Sequence, residues 1–449
     1  MWPRIVLLLG TILTVGPGMA LAAGGEGQGA VSRVLFALGV LLLAANLGGL
    51  AAERLGQPPV LGELVIGIVL ASLVVLLRGA EAVAYVQSEP TLQILAEVGV
   101  LILLFDVGLE TDIRLLVRVG PSAVLVALIG VVAPLALGWG VAAWLLPGSP
   151  RAAHIFVGAA LSATSVGITA RVLKDLGKTQ SPEGRIILGA AILDDVLGLI
   201  VLALVSGLAM APGGGGPLSL LAVAGIVGRA VVFLGLVGGL GHFLSKPIVR
   251  LAARAGHPEI MLAVGLFLCF TLAYAAELIG LAGIIGAFAA GLVLDPYGEG
   301  VRAREGDRAL SELLHPFSTL IVPLFFVLMG IKVDLGSLAS GPVFALAAAL
   351  TACALAGKLV CGLGVVDRSV SRLTVGIGML PRGEVGLIFA GIGTTLVIGG
   401  RPVLDQSLFS AVVLMVLVTT IVAPAGLRWA FGRRSEGPAS RAVPGDESP

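Results

Sequence analysis

Apolar runs long enough to cross a lipid bilayer recur along nearly the whole of this 449-residue chain, and they limit its fold more than any single motif does. A spanning helix needs about 20 apolar residues in succession. Hydrocarbon offers no partner to an exposed backbone N–H or C=O, so only helices and closed barrels can cross. Barrel strands would be short alternating segments, a pattern absent here. With 57% hydrophobic and 12% charged residues and a mean hydropathy of +1.07, the sequence reads as an all-α polytopic membrane protein. Its 65 glycines suit helices that pack closely or are interrupted.

The first 23 residues, with basic Arg4, a short apolar stretch and small residues near Ala22, fit a signal peptide, which places the following chain outside the cytoplasm. Thirteen spanning segments follow, at about 32–53, 59–77, 91–111, 120–147, 153–172, 186–210, 217–244, 259–277, 280–295, 316–334, 341–366, 373–398 and 406–430. In this topology the inner loops carry Arg54, Arg114, Arg118, Arg171, Lys174, Lys178, Arg185 and further basic residues from Lys246 to Arg372. The outer loops hold Arg78, Arg151, Lys332 and Arg401. That asymmetry follows the positive-inside rule and predicts a multi-pass protein of the cytoplasmic membrane, N-terminus outside and C-terminus inside. Residues 432–449 are rich in Pro, Gly and Ser and are expected to form a disordered cytoplasmic tail.

The chain repeats itself. GELVIG (Gly62 to Gly67) recurs as GAFAAG (Gly286 to Gly291), and LLFDVGLETDI (Leu103 to Ile113) recurs as PLFFVLMGIKVDL (Pro323 to Leu335). Gly62 to Gly108 is 46 residues and Gly286 to Gly330 is 44. Because segment 217–244 lies between the copies, they enter the membrane from opposite sides. Inverted repeats of this kind belong to secondary transporters, whose substrate sites lie near the midplane at interrupted helices.

Two such interruptions are legible. SATSVGIT (Ser162 to Thr169) offers Thr164, Ser165 and Thr169 to loosened backbone groups, and MLPRGEVG (Met379 to Gly386) contains Pro381 and Gly383. Asp194 and Asp195 sit in the otherwise uncharged run from Ile186 to Met210, and Lys358 lies deep in segment 341–366. A charge at the bilayer centre costs about 2.5–3.5 kcal/mol, which makes such residues ion or proton sites by default. Adjacent helical residues point about 100° apart, so one aspartate can pair with Lys358 while the other faces a cavity. Asp194 and Lys358 are expected to offset the partial charges of the broken helix ends. Arg382 and Glu384 are expected to pair with charges in the core. Glu63 and Glu110 read as interfacial carboxylates, His154, His242, His257 and His315 as residues of helix ends or loops, and Cys269, Cys353 and Cys361 as small core residues.

These motifs together resemble the monovalent cation:proton antiporters, in particular the branch of NapA-type sodium/proton antiporters and Kef-type potassium efflux proteins. GQPPVLGELVIGIVLA (from Gly56), LLFDVGLETD (from Leu103), SATSVGITARVLKDLGK (from Ser162), ILGAAILDDVLGLI (from Ile187), AGKL (from Ala356) and GMLPRGEVGLI (from Gly378) carry the resemblance over about residues 32–430. It implies the Na+/H+ antiporter fold, with about 13 helices in two inverted repeats and two broken crossing helices. A core (120–210 and 341–431) would move against a scaffold (32–112 and 258–334) that forms a homodimer, with 217–244 as linker. It implies Asp195 as principal cation and proton carboxylate, Asp194 as the neighbour paired with Lys358, Thr164, Ser165 and Thr169 beside the site, and Arg382 and Glu384 in the second crossing helix. Kef-type proteins typically have glutamine where Asp194 stands and carry a cytoplasmic nucleotide-binding domain. The Asp-Asp pair and the short tail therefore favour the NapA-like branch, in which paired aspartates go with electrogenic exchange.

The expected function is exchange of Na+ or Li+ for H+ by alternating access, proton and cation competing for one carboxylate, with K+/H+ exchange as the alternative and a cation channel as the remote one. No cofactor and no nucleic-acid partner is expected beyond the transported ions and the bilayer. No HExxH, GxSxG or phosphate-cradling motif points to an enzyme.

Overall fold

The computed structural model describes residues 26–78, 80–110, 120–210, 224–237, 239, 258–298, 310–398 and 401–435. The helices are α1 (Glu26–Arg54), α2 (Pro59–Arg78), α3 (Ala80–Ser88), α4 (Pro90–Glu110), α5 (Pro121–Leu145), α6 (Arg151–Ser162), α7 (Val166–Asp175) and α8 (Pro182–Met210). Then come α9 (Ala224–Val237), α10 (Pro258–Leu278), α11 (Gly283–Gly298), α12 (Leu310–Ile331), α13 (Leu335–Leu338), α14 (Gly341–Cys361), α15 (Arg372–Gly378), α16 (Glu384–Thr395) and α17 (Gln406–Ser435). A two-residue hairpin, Val397–Ile398 with Arg401–Pro402, joins the last two.

Among the described residues nine helices are long and apolar enough to span a membrane. The other four of the thirteen expected segments are two broken helices, α6–α7 and α15–α16, and the shorter α9 and α11. Short α3 and α13 were not expected; each is a brief connector at a bundle end. The expected signal peptide lies outside the described residues. Of the expected tail, α17 takes in the first residues, up to Ser435, and the rest lies outside them.

Two groups of helices pack mainly among themselves: α1, α2, α4, α10, α11 and α12 in one, α5, α6, α8, α14, α16 and α17 in the other. The inverted repeat is visible at the centre of the first group. Gly67 of α2 meets Gly330 of α12, and Gly108 of α4 meets Gly291 of α11. Gly67 and Gly291 hold the same place in the two copies, as do Gly108 and Gly330. A Cβ on any of the four would strike a carbonyl oxygen three residues before the partner glycine: Val327, Leu64, Phe288 and Phe105 for Gly67, Gly330, Gly108 and Gly291 respectively. Small residues let helix backbones approach where no hydrophobic driving force exists between them.

Replacing Gly108 or Gly291 by Leu is expected to destabilise the fold by about 1–3 kcal/mol through overpacking. Gly39→Ala in α1, where an added Cβ meets nothing within 4 Å, should leave it unaffected. Thermal unfolding of the purified protein in detergent measures both.

Candidate functional site

Helix α6 ends at Ser162 and α7 starts at Val166, leaving Ala163 to Ser165 extended. Across from them α15 ends at Gly378 and α16 begins at Glu384, with Pro381 in the gap. The two interruptions cross and satisfy each other. Ser165 N–H donates to the carbonyl of Pro381 at 2.8 Å, and Thr169 Oγ1 to that of Gly378 at 3.0 Å. Gly383 permits the approach, since a Cβ there would come 2.9 Å from Ser165 Oγ.

Arg382, fully buried, fills the crossing. Its Nη1 donates to the carbonyls of Leu161 and Ala163 at the end of α6, and its Nη2 to that of Ala354 in α14 at 3.1 Å. This corrects one sequence expectation and adds to another. Arg382 spends its fork on backbone carbonyls rather than on a carboxylate, and it joins Asp194 at the break by offsetting the carbonyl end of α6, while Asp194 reaches the same break through Thr164. A planar guanidinium spreads its donors over separate nitrogens in a fixed fork and so spans carbonyls on two helices, whereas an ammonium's three donors all leave one atom. Thr420 of α17 donates to the Arg382 carbonyl and holds the segment from behind. Thr420 was not foreseen, although adjacent hydroxyls one turn before Pro424 in an apolar helix carry that signal. The Glu384 side chain lies outside the described residues, as do those of Glu110, His242 and His257.

Lys358 of α14 and Asp194 of α8 meet beside the crossing. Nζ donates to Oδ1 at 3.1 Å and to Oδ2 at 3.2 Å, and both side chains are sealed from solvent. Thr164 also hydrogen-bonds Asp194, and its hydroxyl stands 3.5 Å from the Met379 carbonyl. Asp195, one residue on, is half-buried on a different face. The sequence-predicted Asp194, Lys358, Thr164, Ser165, Thr169 and Arg382 are thus gathered at one crossing.

Cavities open between the two helix groups at opposite ends of α12. One, of about 710 Å³, is lined by Glu53, Glu63, Asp106, Arg171, His315 and Arg428 among others and reaches Ser165 at the helix break. The other, about 440 Å³, is lined by Gln87, Glu97, Glu277, Lys332 and Ile388 among others. Glu63, expected at an interface, is instead buried in the cavity wall. His154 is buried with Nε2 at 2.8 Å from the Leu146 carbonyl, and Cys269 and Cys361 are buried free thiols.

A family model described as "sodium/hydrogen exchanger, transmembrane" matches residues 38–432. The chain is 37% identical to the high-affinity Na+/H+ antiporter NhaS3 of Synechocystis sp., covering 99% of this chain and 97% of the relative. It is 34% identical to the Na+/H+-K+ antiporter GerN of Bacillus cereus, covering 89% and 97%. Its fold is similar to that of the sodium proton antiporter MjNhaP1 of Methanocaldococcus jannaschii, with a TM-score of 0.65 over 90% of this chain and 97% of that one at 16% identity.

Arg382→Met is expected to cost several kcal/mol of stability, since three buried carbonyls lose a donor at about 1–3 kcal/mol each. Arg382→Lys should recover only part, because one ammonium cannot serve all three positions. Denaturation in detergent checks this, and a Met variant as stable as the parent would contradict the role.

Proposed function

The chain belongs to the family of transmembrane sodium/hydrogen exchangers, and we propose that Asp195 is the carboxylate at which its cargo cation and proton compete. The protein is a multi-pass secondary antiporter exchanging Na+ or Li+ for H+. In the proposed mechanism Asp194 and Lys358 form a pair that opens when cargo binds. The observation that carries this reading is the sealed Asp194–Lys358 ion pair, held against two broken helices, with a second, half-buried carboxylate next in sequence.

An ionised carboxylate is penalised in hydrocarbon, so the site crosses the apolar barrier when loaded and stays behind when empty. That difference turns competition into obligatory exchange. The group of α5, α6, α8, α14, α16 and α17 serves as the moving core and the other group as scaffold, through which a second copy attaches. Two cavities at opposite ends of their shared boundary support such a motion. The basic residues at the larger cavity, Arg171 and Arg428, support a cytoplasmic location for it and for the C-terminus, in the cytoplasmic membrane. Opening of the pair lets the Lys358 ammonium give up its proton beside the one that leaves Asp195, so exchange is electrogenic at two protons per cation. Potassium is the second reading, favoured by the naming of the GerN relative as a Na+/H+-K+ antiporter.

Reconstitution into liposomes with an internal pH dye, adding Na+, Li+ and K+ in turn, tests the proposal. Na+ and Li+ should move protons, Asp195→Asn should abolish the response, and a membrane current should accompany it. Full activity of Asp195→Asn would remove the residue from the site, absence of current would remove the two-proton version, and a response to K+ alone would install the second reading.

A further inference from the structure

Pro134 stands inside α5. It has no N–H, so the carbonyl of Gly130, four residues earlier, loses its helical donor, and the proline ring pushes that carbonyl out of line. Residues four apart share a helix face, and this face is turned toward α14. A Cβ added to Gly130 would sit 3.5 Å from Lys358 Nζ, 3.5 Å from Cys361 Cβ and 3.9 Å from Asp194 Oδ1. One turn further along α5, a Cβ added to Gly357 would come 2.8 Å from Pro134 Cα and 2.9 Å from its Cγ. Gly130 and Pro134 thus face α14 beside Lys358 and Gly357, and the carbonyl that Pro134 releases belongs to the residue nearest the ammonium on this helix.

A buried carbonyl that has lost its donor is costly inside a membrane unless another donor is at hand. The Lys358 ammonium near Gly130 carries three N–H donors, and the two Asp194 oxygens engage two of them. We propose that the Gly130 carbonyl, freed by Pro134, is the acceptor that holds the Lys358 head group when cargo occupies Asp194, first as the ammonium and, once its proton has left, through an N–H of the amine. Gly130 and Pro134 are then positioning residues of the exchange. The inference rests on the reading of Asp194 and Lys358 as a pair that opens. It accounts for how the pair can open at all: removing one partner of a buried ion pair leaves a charge with nothing to face, and a second acceptor a short swing away removes that obstacle. A glycine at 130 keeps the path between ammonium and carbonyl clear of side-chain atoms.

Pro134→Ala restores the missing N–H and closes the helical ladder on the Gly130 carbonyl. In proteoliposomes the KM for Na+ is expected to rise about tenfold, the scale of one hydrogen bond to a charged group. Pro134→Ser, which restores the same N–H, should repeat the result. Pro316→Ala, which closes the ladder at an exposed position of α12, should leave KM unchanged. Binding is read separately as the rise in Tm of the purified protein on adding Na+. There Pro134→Ala should weaken the response in the parent background and add nothing in a Lys358→Ala background, where the carbonyl has no ammonium to hold. An unchanged KM, or an equal loss in both backgrounds, overturns the role of Gly130 and Pro134. Parent-level exchange by Asp194→Asn would overturn instead the reading of the ion pair beneath it.

Discussion

Inside hydrocarbon every backbone polar group must find a partner within the protein, and the break in each crossing helix turns that requirement into the architecture of the site. Ending α6 at Ser162 releases carbonyls that α7 cannot serve, and ending α15 at Gly378 does the same on the opposite side. The two breaks repair each other: the Ser165 amide reaches Pro381, the Thr169 hydroxyl reaches Gly378, and the Arg382 fork gathers Leu161, Ala163 and Ala354. Each interruption supplies acceptors to donors of the other. Because α14 supplies both the Ala354 carbonyl and Lys358, the polar network that closes the breaks also fixes where the buried ammonium stands.

So constrained, the crossing has little freedom to rearrange internally. Separating the broken helices would orphan several buried groups at once, at about 1–3 kcal/mol each. Movement is cheaper along the boundary between the two helix groups, where cavities already replace contacts at both ends of α12. The glycine crossings, Gly67 with Gly330 and Gly108 with Gly291, tie the repeats of one group together through close backbone contact. In the proposed mechanism the group that holds the buried charges moves past the other, the geometry expected of inverted-repeat transporters.

Sequence patterns foretold more here than in most soluble folds, for a physical reason. A bilayer penalises every charge and every helix break, so the few that survive stand out: Asp194, Asp195, Lys358 and both interruptions were each visible as exceptions to an apolar background. The near-equal spacing of glycines in two copies, 46 and 44 residues, disclosed the repeat. What the sequence left open was the choice of partner. Arg382 looked like half of a salt bridge because a cation suggests an anion, yet the acceptors it meets are carbonyls, which every residue possesses and no sequence pattern marks. Thr420 is marked only as a hydroxyl in an apolar helix, since its partner depends on α17 lying behind the second break. Glu63 was misplaced because distance from a helix end says nothing about which neighbouring helix covers it.

Adjacency gives the two aspartates their separate work. Both oxygens of Asp194 are engaged by Lys358 and its carboxylate is sealed, whereas Asp195 is half-buried on a face turned by about 100°. A cation arriving at Asp195 is nevertheless close to the pair. At about 6 Å and an effective dielectric constant near 20, one unit charge acts on another with about 3 kcal/mol. It attracts the Asp194 carboxylate and repels the Lys358 ammonium, drawing the two apart. That energy is of the same order as the roughly 3–5 kcal/mol by which breaking a buried pair destabilises a protein. In the proposed mechanism, cargo at one carboxylate therefore decides the state of the other with no conformational relay between them. The proposed coupling of a second proton to the cation rests on these two residues being neighbours on one helix.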